Sequence, residues 1–130
     1  MNRFTSHHHF PVGSQLERAK GLGLVRHVGI YLGDDQVFHN SPGRGEHISS
    51  LSDFAQNQPV RMTAGPSPAA LQTVFRARQQ ATQPRPYSLL SWNCEHTARA
   101  VAGAPPESPQ LQMWVALGLL YWGLRSLARA

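Results

Sequence analysis

The chain is short of most features that mark a specialised class of protein. Among 130 residues it has one cysteine, Cys94. No intrachain disulfide can form, which excludes the disulfide-built secreted scaffolds. Lysine is almost missing, since eleven of the twelve basic residues are arginine, and only seven residues are acidic. Charged residues make up 15% and hydrophobic ones 41%, too apolar a balance for a disordered chain. No repeat of solenoid length is present, which excludes repeat architectures. The opening from Met1 to His9 is polar and holds no apolar run of signal-peptide length. A cytosolic or cytosol-facing location is therefore expected, one in which a free thiol persists.

What is present points to a small domain with many turns. Ten prolines and eleven glycines predict short elements. The formal charge of +5 suits an anionic lipid surface, nucleic acid or plain solubility. Nucleic acid is the weakest of these, because Arg76, Arg78 and Arg85 form a small cluster without interleaved aromatics. His7, His8 and His9 read as a solvated tail rather than a metal tract.

Residues 1–20 read as a loosely ordered lead-in, with 1–10 a flexible segment ahead of a domain covering 11–103. Alternating β-formers from Val25 to Leu32 predict a strand buried on at least one face. Gly33-Asp34-Asp35 is turn chemistry, and Gln36–His39 is the returning strand of a hairpin. Short strands are expected near Glu46–Ile48 and Pro59–Met62, with one helical turn around 50–56 between them. Ser67-Pro68 predicts a helix start, carried on by Leu71, Val74, Phe75 and Arg78 and ended by Pro84 and Pro86. Asn93 is a natural N-cap for a second helix running from Cys94 to about Ala102 and stopping at Gly103. The expected architecture is α+β, a small antiparallel sheet packed on the cysteine-bearing helix.

Residues 104–110 are a proline-rich linker, and 111–130 form the most apolar part of the chain. That part is short for a membrane-spanning helix, which needs about 20 apolar residues. Its Trp114, Tyr121 and Trp122, followed by Arg125 and Arg129, favour an interfacial anchor over a core helix.

Three residues carry the candidate chemistry. A helix N-terminus lowers the pKa of a thiol placed there, so Cys94 is expected to be an activated nucleophile. His27 and His39 flank the predicted hairpin, where one imidazole can act as base and the other orient it. For both to share a face, Gly29 must pair with His39, as an odd-length loop such as Gly33-Asp34-Asp35 provides. A two-residue loop at Asp34-Asp35 pairs Ile30 with His39 and sends the imidazoles to opposite faces. Glu95 reads as a partner for the helix dipole and His96 as a packing or hydrogen-bonding residue. A zinc site of His27, His39, Cys94 and His96 is the competing reading. It lacks any short C-x-x-C or H-x-x-x-H pair, so no metal or other cofactor is expected.

These residues also form a recognisable pattern. His27-Val28-Gly29-Ile30-Tyr31-Leu32-Gly33, then His39, then Asn93-Cys94-Glu95-His96 resembles the lecithin retinol acyltransferase family and its H-Ras-like suppressor phospholipase and acyltransferase relatives. Those proteins are the circularly permuted branch of the papain-like, NlpC-type thiol hydrolases. The likeness covers about residues 11–103. It implies a circularly permuted papain-like fold, Cys94 as nucleophile, His27 as general base and His39 as the orienting histidine, with Asn93, Glu95 and His96 in support. It implies a lipid ester as substrate, an acyl-cysteine intermediate, and a membrane surface as partner through the C-terminal segment. Thr97 departs from the family pattern, which has phenylalanine there, and so does the opening Phe10-Pro11-Val12-Gly13. Two other readings use the same residues: a peptide or cell-wall amidase, and a non-enzymatic membrane-associated module.

Overall fold

Strand-forming residues on both faces make Val25–Gly33 the longest strand, β2, of the computed structural model, which describes residues 10–104 and 108–129. It lies between β1 (Gln15–Lys20) and β3 (Gln36–Ser41). With β4 (Gly45–Ser50) and β5 (Val60–Ala64) they form an antiparallel five-stranded sheet in the order β4-β3-β2-β1-β5. Four helices complete the α+β fold: α1 (Leu51–Ala55), α2 (Ala70–Thr82), α3 (Cys94–Val101) and α4 (Pro109–Leu127).

Period-two alternation sorts the sheet's side chains onto two faces. Val28, Ile30, Leu32 and Phe38 meet Ala77 of α2 and Cys94, Ala98 and Val101 of α3. On the other face Leu16, Tyr31 and Val37 pack on Phe54 of α1, with Phe10, Leu51 and Val60 around them. Both faces of β2 are thus covered, which is why its sequence is apolar on both sides of the alternation.

Three expectations need correction. Residues 15–20 are no part of a loose lead-in, because they form β1, an interior strand paired on both sides. That segment, Gln-Leu-Glu-Arg-Ala-Lys, hides its strand character behind charge. Glu17 is buried by ion pairs to Arg61 and, at 3.4 Å, to Arg26, while Arg18 donates to the Phe54 carbonyl. Helix α2 begins at Ala70 with Ala69 at its cap, and Ser67 instead holds the turn ahead of it, accepting from the Ala69 N–H at 3.2 Å.

The hairpin loop is the third. Gly33 pairs with Gln36, so the loop has two residues, Asp34 and Asp35, both with positive φ. A register shift between Tyr31 and Gly33 then leaves Leu32 as an extra residue. The bulge restores the pairing of Gly29 with His39, and this register puts both imidazoles on the α1 face. The expected pairing forms by a different route.

Among the described residues no helix is long and apolar enough to cross a membrane. Helix α4 has no buried residue, and Trp114, Leu117, Leu120, Tyr121, Trp122 and Leu124 are all exposed. Residues 1–9, including the histidine tract, and the middle of the 104–110 linker lie outside the described residues.

Candidate active site

The β2–β3 register sets the first half of the site. His27 and His39 come from neighbouring strands and are almost fully buried. Phe54 packs against both, tilted over His27 with ring centroids 5.4 Å apart and edge-on to His39 at 5.2 Å. It can do so because Gly29 lies between them with no side chain. A Cβ there would come within 2.6 Å of Val37 and 2.9 Å of the Phe54 ring.

The two imidazoles bond to each other, His27 Nε2 to His39 Nδ1 at 2.8 Å, and His39 Nε2 lies 2.8 Å from Ser49 Oγ on β4. The orientation of the serine hydroxyl sets the direction of this chain. That hydroxyl donates to the Ser50 carbonyl at 3.1 Å, and a carbonyl can only accept. With its hydroxyl turned to that carbonyl, Ser49 Oγ accepts from His39, and the proton is then on His39 Nε2. A neutral His39 then accepts at Nδ1, so His27 carries its proton on Nε2. The lone pair of His27 is left on Nδ1, the arrangement a general base needs.

Burial keeps both rings neutral. Desolvation, helped by the Arg18 and Lys20 cations, lowers the His27 pKa to about 3. Desolvation with the neighbouring imidazoles lowers that of His39 to about 2. Arg18 pairs with His27 in the β1–β2 register and lies across the Phe54 ring. His47, whose ring centroid is 4.2 Å from that of His39, closes the far side.

The second half comes from α3. Asn93 caps it, with Oδ1 accepting from the N–H groups of Glu95 at 3.0 Å and His96 at 3.3 Å. His96 Nδ1 accepts in return from the Asn93 N–H at 3.2 Å, closing a capping box. The Asn93 carbonyl takes the Thr97 N–H. Among the described residues this leaves the Cys94 N–H as the amide of the first turn with no acceptor.

Cys94 enters the sheet at a gap. Tyr31 bonds through its N–H and C=O to Ser14 and Gly13 on the β1 side. By alternation Arg26 and Val28 turn their backbone groups the other way, towards β3. Pairing with β3 stops at Gly29, however, so this edge of β2 is open. Sγ fills part of it, 4.0 Å from the Arg26 carbonyl and within reach of the Val28 and Glu95 N–H groups. Arg26 and Val28 are the chain neighbours of His27. The thiol thus lies against the backbone that carries the proposed base, but Cys94 packs with the α3-face cluster whereas both imidazoles are on the α1 face, and no hydrogen bond joins Sγ to an imidazole among the described residues.

One expectation fails here. The helix N-terminus does not leave Cys94 with a lowered pKa, because burial raises it more than the Val28 and Glu95 amides lower it. A thiol at 7% exposure loses more hydration on ionising than two amide dipoles return.

The chain matches no protein-family model and no curated protein.

The supporting residues take the places their chemistry suits. Glu95 accepts from Ser108 Oγ and, at 3.2 Å, from the Gln110 N–H, tying α3 to the root of α4. Trp92 stacks on His96. No group of three or more His, Cys, Asp or Glu side chains is arranged to hold a metal among the described residues, and two of the four suggested zinc donors spend a nitrogen on each other.

Sequence reasoning missed Ser49, Arg18 and Glu46. Ser49 has no local signature, since only the β3–β4 register brings it beside His39. Glu46 is fully buried and accepts from Arg85, from Trp92 Nε1 at 2.7 Å and from Thr97 Oγ1 at 2.7 Å. These donors hold its carboxyl below the usual range in spite of burial. Thr97, where the resembled family has phenylalanine, is thus a polar link between α3 and β4.

Proposed function

We propose that the protein is a thiol-dependent acyl hydrolase or acyltransferase acting on lipid esters, with a circularly permuted papain-like fold. One observation carries the reading: the bonded chain Ser49–His39–His27, borne by the strand segment that Cys94 touches, in which a serine turned to the Ser50 carbonyl leaves the His27 Nδ1 lone pair to act as base. With the thiol protonated and the imidazole neutral, general-base attack is favoured over a preformed thiolate–imidazolium pair. As Sγ bonds to the acyl carbon, its proton passes to His27 Nδ1. The C–O bond of the ester then breaks, and the departing alcohol takes that proton. Water or an amine cleaves the thioester in the second half, with His27 again moving the proton. The unbonded Cys94 N–H is the donor available for the oxyanion. His39 and Ser49 are positioning residues that hold the tautomer of His27.

The lipid part of the reading rests on α4, a 19-residue helix with exposed tryptophans and leucines rooted beside Cys94. Such a helix suits the interface of a cytosol-facing membrane. The test is intact-mass measurement after incubation with phosphatidylcholine vesicles. A gain of one acyl chain, removed by hydroxylamine and missing in Cys94→Ala, is expected. His27→Ala should lose nearly as much turnover, and Ser49→Ala should lose less. Full turnover in Cys94→Ala would refute the reading. An adduct formed from muropeptides and not from lipid would replace it with the amidase reading.

A further inference from the structure

The open edge of β2 is not empty. The Gln110 side chain lies against it, its Oε1 accepting from the Arg26 N–H at 2.9 Å and its Nε2 donating to the Arg26 carbonyl at 3.0 Å. This is the two-bond pattern that an antiparallel strand makes with one residue of its neighbour, supplied here by a primary amide from a residue 84 positions away in the chain. The same carbonyl is the one that Cys94 Sγ touches. Whatever binds the Arg26 edge is therefore placed beside the thiol.

The carboxamide is held by little else. Gln110 sits in the first turn of α4, and α4 buries no side chain against the domain. Among the described residues its attachment is confined to its root, where Ser108 bonds to Asn93 and Glu95 and the Gln110 N–H bonds to Glu95. Withdrawal of Gln110 would expose one donor and one acceptor on β2, about a peptide's width apart, without uncovering any core.

We propose that the Arg26 edge is an amide-reading subsite next to Cys94, which takes a carboxamide or peptide group of a ligand, and that Gln110 is a built-in occupant that keeps it closed. A carboxylate fits this edge poorly, since it can satisfy the N–H but only repel the carbonyl. The subsite holds whether the bond cleaved is an ester or an amide, and its test needs no acyl substrate.

Because Cys94 is the only cysteine, intact mass reports its alkylation directly. The full chain is treated at neutral pH with iodoacetamide and, separately, with iodoacetate. In Gln110→Ala the iodoacetamide rate should rise about tenfold over wild type, the scale of losing two neutral hydrogen bonds. The iodoacetate rate should rise much less, and excess acetamide, but not acetate, should slow the variant's reaction. Gln110→Glu, which keeps the side chain's size, should behave in the same way because it cannot donate to the Arg26 carbonyl. It also covers the case in which alanine disturbs α4, which circular dichroism would reveal. Unchanged rates in both variants, or equal gains for the two reagents without protection by acetamide, would overturn the proposal.

Discussion

Acidification should destabilise this protein through two residues, by an amount that follows from their burial. His27 and His39 are folded as neutral rings with pKa values of about 3 and about 2, against an ordinary value of 6.5. Between these limits the unfolded chain binds protons that the folded chain refuses, so stability is complete above pH 6.5 and falls as pH drops below it. At pH 5 the unfolded form of each histidine gains about 2 kcal/mol from protonation, a figure that depends on the unfolded pKa and hardly on the folded one. The pair should cost about 4 kcal/mol between pH 7.5 and pH 5, a large part of a typical domain's stability. His96, also lowered by burial, acts in the same direction, while Glu46, with its lowered pKa, begins to lose stability only at more acid pH. Urea unfolding at the two pH values measures the difference. In the double variant His27→Gln/His39→Gln most of the dependence should vanish. A wild type equally stable at both values, or a double variant with the full dependence, would refute the neutral-pair reasoning.

Gly29→Ala should cost about 1–3 kcal/mol, because the new methyl meets Val37 and the Phe54 ring that seats both imidazoles; thermal melting measures it. Glu46→Gln breaks the ion pair of the buried Glu46 with the partly exposed Arg85 and sets an amide N–H₂ among donors. It should cost about 3 kcal/mol, or about 10 °C in melting temperature, whereas Arg85→Lys should cost less. Ending the chain after Pro109 should move the melting temperature by only a few degrees, since α4 buries nothing. The same truncation should abolish flotation with anionic vesicles, and retained flotation would move the membrane contact elsewhere.

The two halves of the candidate site differ in how far the sequence determined them. The Cys94 helix was legible residue by residue because capping is local: Asn93 finds its partners two and three positions ahead, and Gly103 ends the turn. The alternation of Val25–Gly33 and the turn at Asp34-Asp35 were equally local, which is why β2 and β3 were expected where they lie. β1 was not, because its strand character depends on Arg61, Arg26 and Phe54 arriving to satisfy Glu17 and Arg18. The register was underdetermined in the same way, since a one-residue bulge at Leu32 undoes the parity set by a two-residue loop. Only the tertiary structure decided the ionisation of the site, because the pKa of a thiol or an imidazole follows from the water it loses as well as from its place on a helix or strand. Ser49, Glu46 and Gln110 belong with these. Each acts on a residue at least ten positions away, and the distances that give them their roles exist only once the sheet has closed.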